Sequence, residues 1–266
     1  MTRTYVVTGS ASGIGATTAA MLRERGERVI GIDLRNADIE ADLSTPAGRQ
    51  DAAARAIELA GGRIDAVIAC AGISAPVPAT ISVNYFGVTE LLTALLPALA
   101  ASDAPRAAVV SSMASLQPNS PELVEAALAG DEETAVAIAA KLAEQGPEIG
   151  YLVYPSSKRA LSRWVRRESI TPAWAGAGIP LNAVAPGTVI TPMTERLLST
   201  PEGRAMVDAA VPMPLNSHQG PESIASLLIW LTSVENTHLA GQVIYDDGGA
   251  DATLRGDDIW SWADPR

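Results

Sequence analysis

Residues 4–15 read TYVVTGSASGIG. A short run with the composition of a buried strand enters a loop with glycine at positions 9, 13 and 15. Apolar positions at helical spacing follow over 14–25, and Gly26 is a natural stop. A strand that turns directly into a helix has no hairpin neighbour. Its sheet partners must be parallel strands reached by crossover helices. The rest of the chain repeats the alternation. Strands are expected over 27–33, 39–43, 64–72, 106–112, 181–187 and 241–249. Helices are expected over 46–62, about 80–100, from Lys158 to about 174, and 221–231. This pattern predicts an α/β fold: a Rossmann-type doubly wound parallel sheet of about seven strands, with helices on both faces. No repeat, linker or low-complexity tract divides the chain, so residues 1–266 read as a single domain.

Composition narrows the function classes. The chain has 266 residues, 47% of them hydrophobic, and a net charge of −11, which argues against a nucleic-acid partner because phosphate binding needs clustered cations. Cys70 is the only cysteine, which forbids an internal disulfide and suits a reducing, cytoplasmic setting. With one cysteine and two distant histidines, no Cys/His metal site is expected. The chain starts on an apolar run with no signal-peptide pattern, and no stretch of eighteen apolar residues escapes a charge or a breaker, so no membrane span is expected.

A glycine loop between strand and helix suits a dinucleotide pyrophosphate. Glycines permit the tight turn and the close approach of backbone to phosphate, and the helix N-terminus offers free N–H groups. Asp33 closes the second strand, eighteen residues after Gly15. A carboxylate there accepts bonds from ribose hydroxyls and repels a 2′-phosphate, so NAD is preferred over NADP, although Arg35 could weakly tolerate the latter.

TGSASGIG, Asp33, SVNYFG (82–87), VVSS (109–112), YPSSK (154–158) and APGTVITPM (185–193) together resemble the short-chain dehydrogenase/reductase family, from residue 4 to about 250. The run SVNYFGVTELLTALLPALA and the long segment between Ser112 and Tyr154 look most like its bacterial 3α-hydroxysteroid dehydrogenases/carbonyl reductases. The resemblance implies that Gly9, Ser10, Ser12, Gly13, Ile14 and Gly15 line the pyrophosphate and ribose. It implies that Asp33 holds the adenosine ribose and that Asp42 and Leu43 flank the adenine. Cys70, Ala71 and Gly72 stand where the family usually has Asn-Asn-Ala-Gly or a relative, supporting the central strand beside the cofactor. Pro186, Gly187, Val189 and Thr191 are implied to hold the nicotinamide carboxamide. Asn84, Ser112, Tyr154 and Lys158 match the catalytic tetrad, Tyr154 and Lys158 also facing the cofactor. On residues alone Ser111 competes with Ser112; the family pattern favours Ser112. Asn84 follows the CAG motif more closely than is usual. Pro155 disfavours helical angles at Tyr154, which places that residue at a helix N-cap.

The chain has only two lysines, Lys141 and Lys158. Lys158 lies four residues after Tyr154, on the same face of a helix. Alcohol oxidation gives up a hydride and a proton, and tyrosine is a poor base at its ordinary pKa. Lowering it to about 7 needs about 4 kcal/mol, which a nearby ammonium and a cationic nicotinamide can supply. Ser112 would bond the substrate oxygen. The expected function is an NAD(H)-dependent oxidoreductase interconverting a secondary alcohol and a ketone, apolar or cyclic, such as a 3α-hydroxysteroid. The alternatives are a dehydrogenase of a terpenoid or small aromatic alcohol, a nucleotide-sugar epimerase or dehydratase, and a non-catalytic NAD-binding regulator.

Two further segments carry expectations. Residues 190–215 hold Met193, Leu197, Leu198, Met206, Val211, Met213 and Leu215; they read as an apolar substrate lid or as ordinary helix packing. Between about 114 and 150, two helices are bounded by Ser120-Pro121 and Gly130, and by Asp131 and Gly146-Pro147. This helical insertion is expected to wall the substrate cleft and to displace the family's usual dimer contact, leaving a homodimer or homotetramer built on another surface. Its removal is expected to leave NAD affinity nearly unchanged. Trp260 and Trp262 cover a cleft or a subunit contact, or belong to a loose tail.

Overall fold

In the computed structural model of the chain, which describes residues 2–261, seven strands form one sheet with the order β3-β2-β1-β4-β5-β6-β7. They are β1 (Thr4–Thr8), β2 (Arg28–Asp33), β3 (Ile39–Glu40), β4 (Ala66–Ala69), β5 (Arg106–Val110), β6 (Leu181–Pro186) and β7 (Val243–Asp246). Every neighbouring pair is parallel. The connections are α1 (Gly13–Glu24), α2 (Pro46–Ala60), α3 (Ala79–Ile81), a π-turn (Ser82–Phe86), α4 (Gly87–Ala100), α5 (Pro121–Leu128), α6 (Glu132–Glu144), α7 (Pro147–Gly150), α8 (Val153–Glu168), α9 (Pro192–Leu198), α10 (Pro201–Ala210), α11 (Pro221–Leu231) and α12 (Ala250–Arg255). The third strand is shorter than expected.

Because side chains alternate along a strand, the sheet divides the core in two. Val6, Val67 and Val109 face one way, onto a cluster holding Ala52 of α2, Leu91 of α4 and Leu161 of α8. Tyr5, Val7, Ile68 and Val110 face the other way, onto Leu22 of α1 and Leu228 of α11. The order reverses between β1 and β4, which opens a crevice at the carboxyl ends of those strands. Ala79–Ala100 is the one described helix long and apolar enough to cross a membrane; Ile81, Leu91, Leu92, Leu95 and Leu99 lie in the core instead.

The insertion is a helical hairpin with the caps its sequence announces. Ser120 Oγ accepts from Leu123 N at 3.3 Å, and Asp131 Oδ1 from Thr134 N at 3.0 Å. Helix α5 packs along α8, and α6 packs on α5. Leu123, Val124, Ala127, Ala135 and Ala139 join the core on the α8 side of the sheet.

Helix α8 departs from the expectation at both ends. It begins at Val153, so Tyr154 is its second residue rather than its N-cap. Pro155 is tolerated there because the first turn has unbonded N–H groups in any helix. Tyr154 N bonds Tyr151 O at 3.1 Å, the carbonyl an amide at 155 would have taken. The helix ends at Glu168. Ser169 and Thr171 hydroxyls bond back to the carbonyls of Arg166 and Glu168, and Pro172 bars continuation.

Candidate active site

A cavity of about 370 Å³ lies at the carboxyl ends of the strands and is lined from the β1–α1 loop, the ends of β2, β4, β5 and β6, and α8. Its floor is the glycine loop. Gly9 has φ +67° and Gly13 φ +52°, both in the region that disfavours a side chain. Gly15 has ordinary torsions, but a Cβ there would stand 2.2 Å from Gly9 O. The loop therefore closes backbone on backbone along the cavity floor, with no room for a side chain at Gly9 or Gly15. Ser12 precedes α1 in extended conformation, and its hydroxyl makes no cap bond. Ser12, Gly13, Ile14 and Gly15 line the cavity; Ser10 does not. Its hydroxyl points back at β2, where a Cβ on Gly31 would come within 2.5 Å of Oγ, so Ser10 supports the loop from behind.

Asp33 ends β2 on the cavity wall. Its Oδ2 accepts from Ala11 N at 3.0 Å and its Oδ1 from Leu34 N at 2.7 Å, which fixes the carboxylate beside the loop. Asp42 and Leu43 line the same end, and Cys70, Ala71 and Gly72 the middle. Ala71 N donates to Thr8 Oγ1 at 3.0 Å, tying β4 to the start of the glycine loop. Pro186, Gly187, Val189 and Thr191 close the other end. Thr191 and Thr194 form a capping box that starts α9. Of the lid residues, Met193 lines the cavity. Met213 packs beneath it, its sulfur accepting from Thr188 N at 3.1 Å. Leu198 is buried, and Leu197, Met206 and Leu215 are exposed. None of residues 114–150 lines the cavity, so the hairpin does not wall it. Trp260 is exposed, and Trp262 lies outside the described residues.

The β5 end, the 3₁₀ turn Met113–Leu116 and α8 bring the chemistry together. Ser112 caps that turn, its Oγ accepting from Ala114 N at 3.1 Å, and it lines the cavity with Tyr154 and Lys158. Ser111 also touches the cavity, but its hydroxyl bonds Lys158 O and Ser162 Oγ at 3.2 and 2.7 Å. That engagement leaves Ser112 as the serine that acts on the phenol of Tyr154, whose pKa it lowers. Lys158 is 4% exposed, lies 6.0 Å from the centre of the Tyr154 ring and donates from Nζ to Val110 O at 2.9 Å.

In the cofactor-free chain, without the nicotinamide charge that the expected shift also calls on, the phenol moves the other way. Burial pushes Tyr154 up to about 12; Ser112 pulls it down and Tyr151 adds to the rise. Burial likewise pulls Lys158 down to about 8, with Cys70 acting in the opposite direction. Desolvation therefore sets the direction of both shifts in the chain alone.

Asn84 is fully buried and is not part of the cavity wall. The π-turn aims it at the loop after β4. Its Oδ1 accepts from Ile73 N at 2.9 Å, and its Nδ2 donates to Ile73 O at 2.9 Å and to Ser157 Oγ at 3.0 Å. A Cβ on Gly72 would lie 3.1 Å from Asn84 Oδ1 and 3.5 Å from Lys158 Nζ. Sequence reasoning passed over Ser157, which joins Asn84 to α8. It also passed over Ile73 and Val83, which line the cavity. Ser157 stands in plain view in YPSSK, but its partner is 73 positions away.

Comparison with known proteins gives the same picture over most of the chain. A family model described as short chain dehydrogenase matches residues 3–127, and one described as enoyl-(acyl carrier protein) reductase matches 123–251. The chain is 39% identical to a 3-alpha-hydroxysteroid dehydrogenase/carbonyl reductase of Comamonas testosteroni, over 94% of this chain and 97% of that protein. It is 27% identical to a coniferyl-alcohol dehydrogenase of Pseudomonas sp., over 93% and 96%. A 3-alpha-hydroxysteroid dehydrogenase from Pseudomonas sp. B-0831, solved in complex with NADH, matches with a TM-score of 0.88 and 39% identity over 96% of this chain and 100% of that one. With its cleft, its glycine loop and its Ser-Tyr-Lys cluster, the chain belongs to the short-chain dehydrogenase/reductase family of oxidoreductases.

Proposed function

We propose that the protein is an NAD(H)-dependent oxidoreductase that interconverts an apolar, cyclic secondary alcohol, such as a 3α-hydroxysteroid, and its ketone. The observation that carries this reading is the convergence of Ser112, Tyr154 and Lys158 on the same cavity as the glycine loop and Asp33. The relatives named for hydroxysteroids, at 39% identity, support the substrate class.

The residues fit the cofactor. The glycine loop on the cavity floor, packed too tightly for a side chain at Gly9 or Gly15, would receive the pyrophosphate, and the fixed Asp33 carboxylate suits ribose hydroxyls and opposes a 2′-phosphate. Asp42 and Leu43 flank the adenine, and Pro186, Gly187, Val189 and Thr191 hold the nicotinamide end. When bound, the nicotinamide supplies the carbon that accepts or gives hydride, and in its oxidised form a further positive charge. The chain's own groups handle the proton. In oxidation Tyr154 Oη would take the alcohol proton as the phenolate, the form that Lys158 and the charge of a bound oxidised nicotinamide favour against burial, and in ketone reduction the phenol would return it. Ser112 Oγ donates a hydrogen bond to that oxygen as its negative charge grows. Lys158 contributes a compact positive charge behind the phenol. Asn84 acts through Ile73 and Ser157, holding the loop and α8 together. Residues 190–215 form the lid over the substrate. Residues 1–266 form one catalytic domain that works in the cytoplasm, as its single cysteine suggests. It self-associates through a surface other than α4 and α8, because the hairpin lies on α8.

The test is NADH formation from NAD⁺ with a panel of 3α-hydroxysteroid, terpenoid and aromatic alcohols. The steroid arm is expected to lead. Tyr154→Phe should lose at least about a hundredfold in turnover while still binding NADH. Absence of turnover in every arm, with NADH bound, would leave a non-catalytic NAD-binding protein and overturn the proposal.

A further inference from the structure

The adenine end of the cleft is the loop Asp42–Thr45 between β3 and α2. Its backbone is held by local bonds: Ser44 N donates to Asp42 Oδ1 at 2.9 Å, and Thr45 Oγ1 donates to Asp42 O at 3.2 Å. A Cβ on Gly87 of α4 would stand 3.0 Å from Leu43 O, so the loop is pressed against that helix. The remaining carbonyls of the loop face Arg49. Its Nε donates to Thr45 O at 3.1 Å and its Nη2 reaches Ser44 O at 3.4 Å. The Ser44 peptide is thus fixed on its N–H side by Asp42 and on its C=O side by Arg49.

Arg49 is an unusual residue for this work, because its side chain is only 1% exposed. A buried guanidinium needs anions. Two reach it, both from other elements. Glu132, the first residue of α6 in the hairpin, accepts from Nη2 through both oxygens at 2.9 and 2.8 Å. Glu90 of α4 lies 3.1 Å from Nη1, but Nη1 makes no hydrogen bond among the described residues, so this is a charge contact alone. Glu90 is 48% exposed and Glu132 22%. Solvent screening weakens the first pair more, so Glu132 is the principal counterion. An adenine-loop carbonyl and a hairpin carboxylate therefore share one guanidinium nitrogen.

We infer that Arg49 is a positioning residue for the adenine end of the cofactor cleft, and that it holds that end in shape only while Glu132 of the hairpin is docked on it. The hairpin then serves cofactor binding at a place it never touches directly. This reverses the expectation that removing it leaves NAD affinity unchanged. The inference rests on the reading of Asp42 and Leu43 as the adenine wall.

The test uses two probes, one for each half of the cofactor: ADP-ribose and reduced nicotinamide mononucleotide, titrated against the wild-type chain, Glu132→Gln and Arg49→Lys. Both variants keep the size of the side chain and remove the two-oxygen, fork-shaped pairing. ADP-ribose affinity should fall about five- to tenfold in each, with mononucleotide affinity unaltered. The double variant should lose no more than the worse single, since the two side chains act as one unit. A chain shortened across 117–147 should lose ADP-ribose affinity in the same way. ADP-ribose affinity within about twofold of wild type in Glu132→Gln overturns the inference, as does an equal loss for both probes. A wild-type chain that binds no ADP-ribose overturns the cofactor reading itself, and this inference with it.

Discussion

Lys158→Met should make the cofactor-free protein more stable while removing its activity. The lysine is 4% exposed, and its Nζ has one acceptor, Val110 O at 2.9 Å. Among the described residues no carboxylate acts on it; burial is the main cause and pulls it from 10.5 to about 8, with Cys70 opposing. The folded pKa lies below the unfolded one, so folding expels a proton between about pH 8 and pH 10.5. Below that window both states hold the proton, and the folded state bears the full cost of the buried charge, about 3 kcal/mol. Above it neither state does, and the cost vanishes. Methionine removes the charge but leaves the Val110 carbonyl without its donor, which costs about 1 kcal/mol. The net gain near pH 7 is about 2 kcal/mol, or roughly 5 °C in Tm for a chain of this size. Urea and thermal unfolding, followed by circular dichroism from about pH 6 to about pH 10, would show the gain shrinking as pH rises through that window. A variant less stable than wild type near pH 7, or a difference that ignores pH, refutes the argument. Either would mean that the ammonium is compensated in the fold.

Two other outcomes follow from the cleft and the hairpin. Asp33→Ala should weaken NAD binding about tenfold and narrow the gap to NADP, because an acceptor and a repulsion are lost together; an unchanged preference, measured by titration with both dinucleotides, removes Asp33 from the ribose. Shortening 117–147 bares the outer face of α8 where Leu123 and Val124 of α5 now pack, and sedimentation should report a changed oligomeric state; a folded, shortened chain with unchanged assembly leaves the hairpin no part in controlling association.

Much of this protein was legible in the chain itself, because the deciding signals are local. Every strand but the two-residue β3 is announced by an apolar run, and each helix in the hairpin by a cap within a few residues: Ser120-Pro121 and Asp131 at the starts, Gly130 and Gly146-Pro147 at the ends. The glycines at 9, 13 and 15 are needed for torsion or close approach over a single turn. Tyr154 and Lys158 share a face through helix geometry alone. What the sequence left open depends on contacts between distant residues and on removal from water. Ser10 faces β2 rather than the cavity because of the side on which Gly31 leaves room. Asn84 reaches Ile73 and Ser157 only because the π-turn, the β4 loop and α8 meet. The phenol of Tyr154 rises to about 12 and the ammonium of Lys158 falls to about 8 because the fold buries both. Arg49 and Glu132 lie 83 positions apart, and no local pattern pairs them; the buried guanidinium has its counterion only once the hairpin has docked.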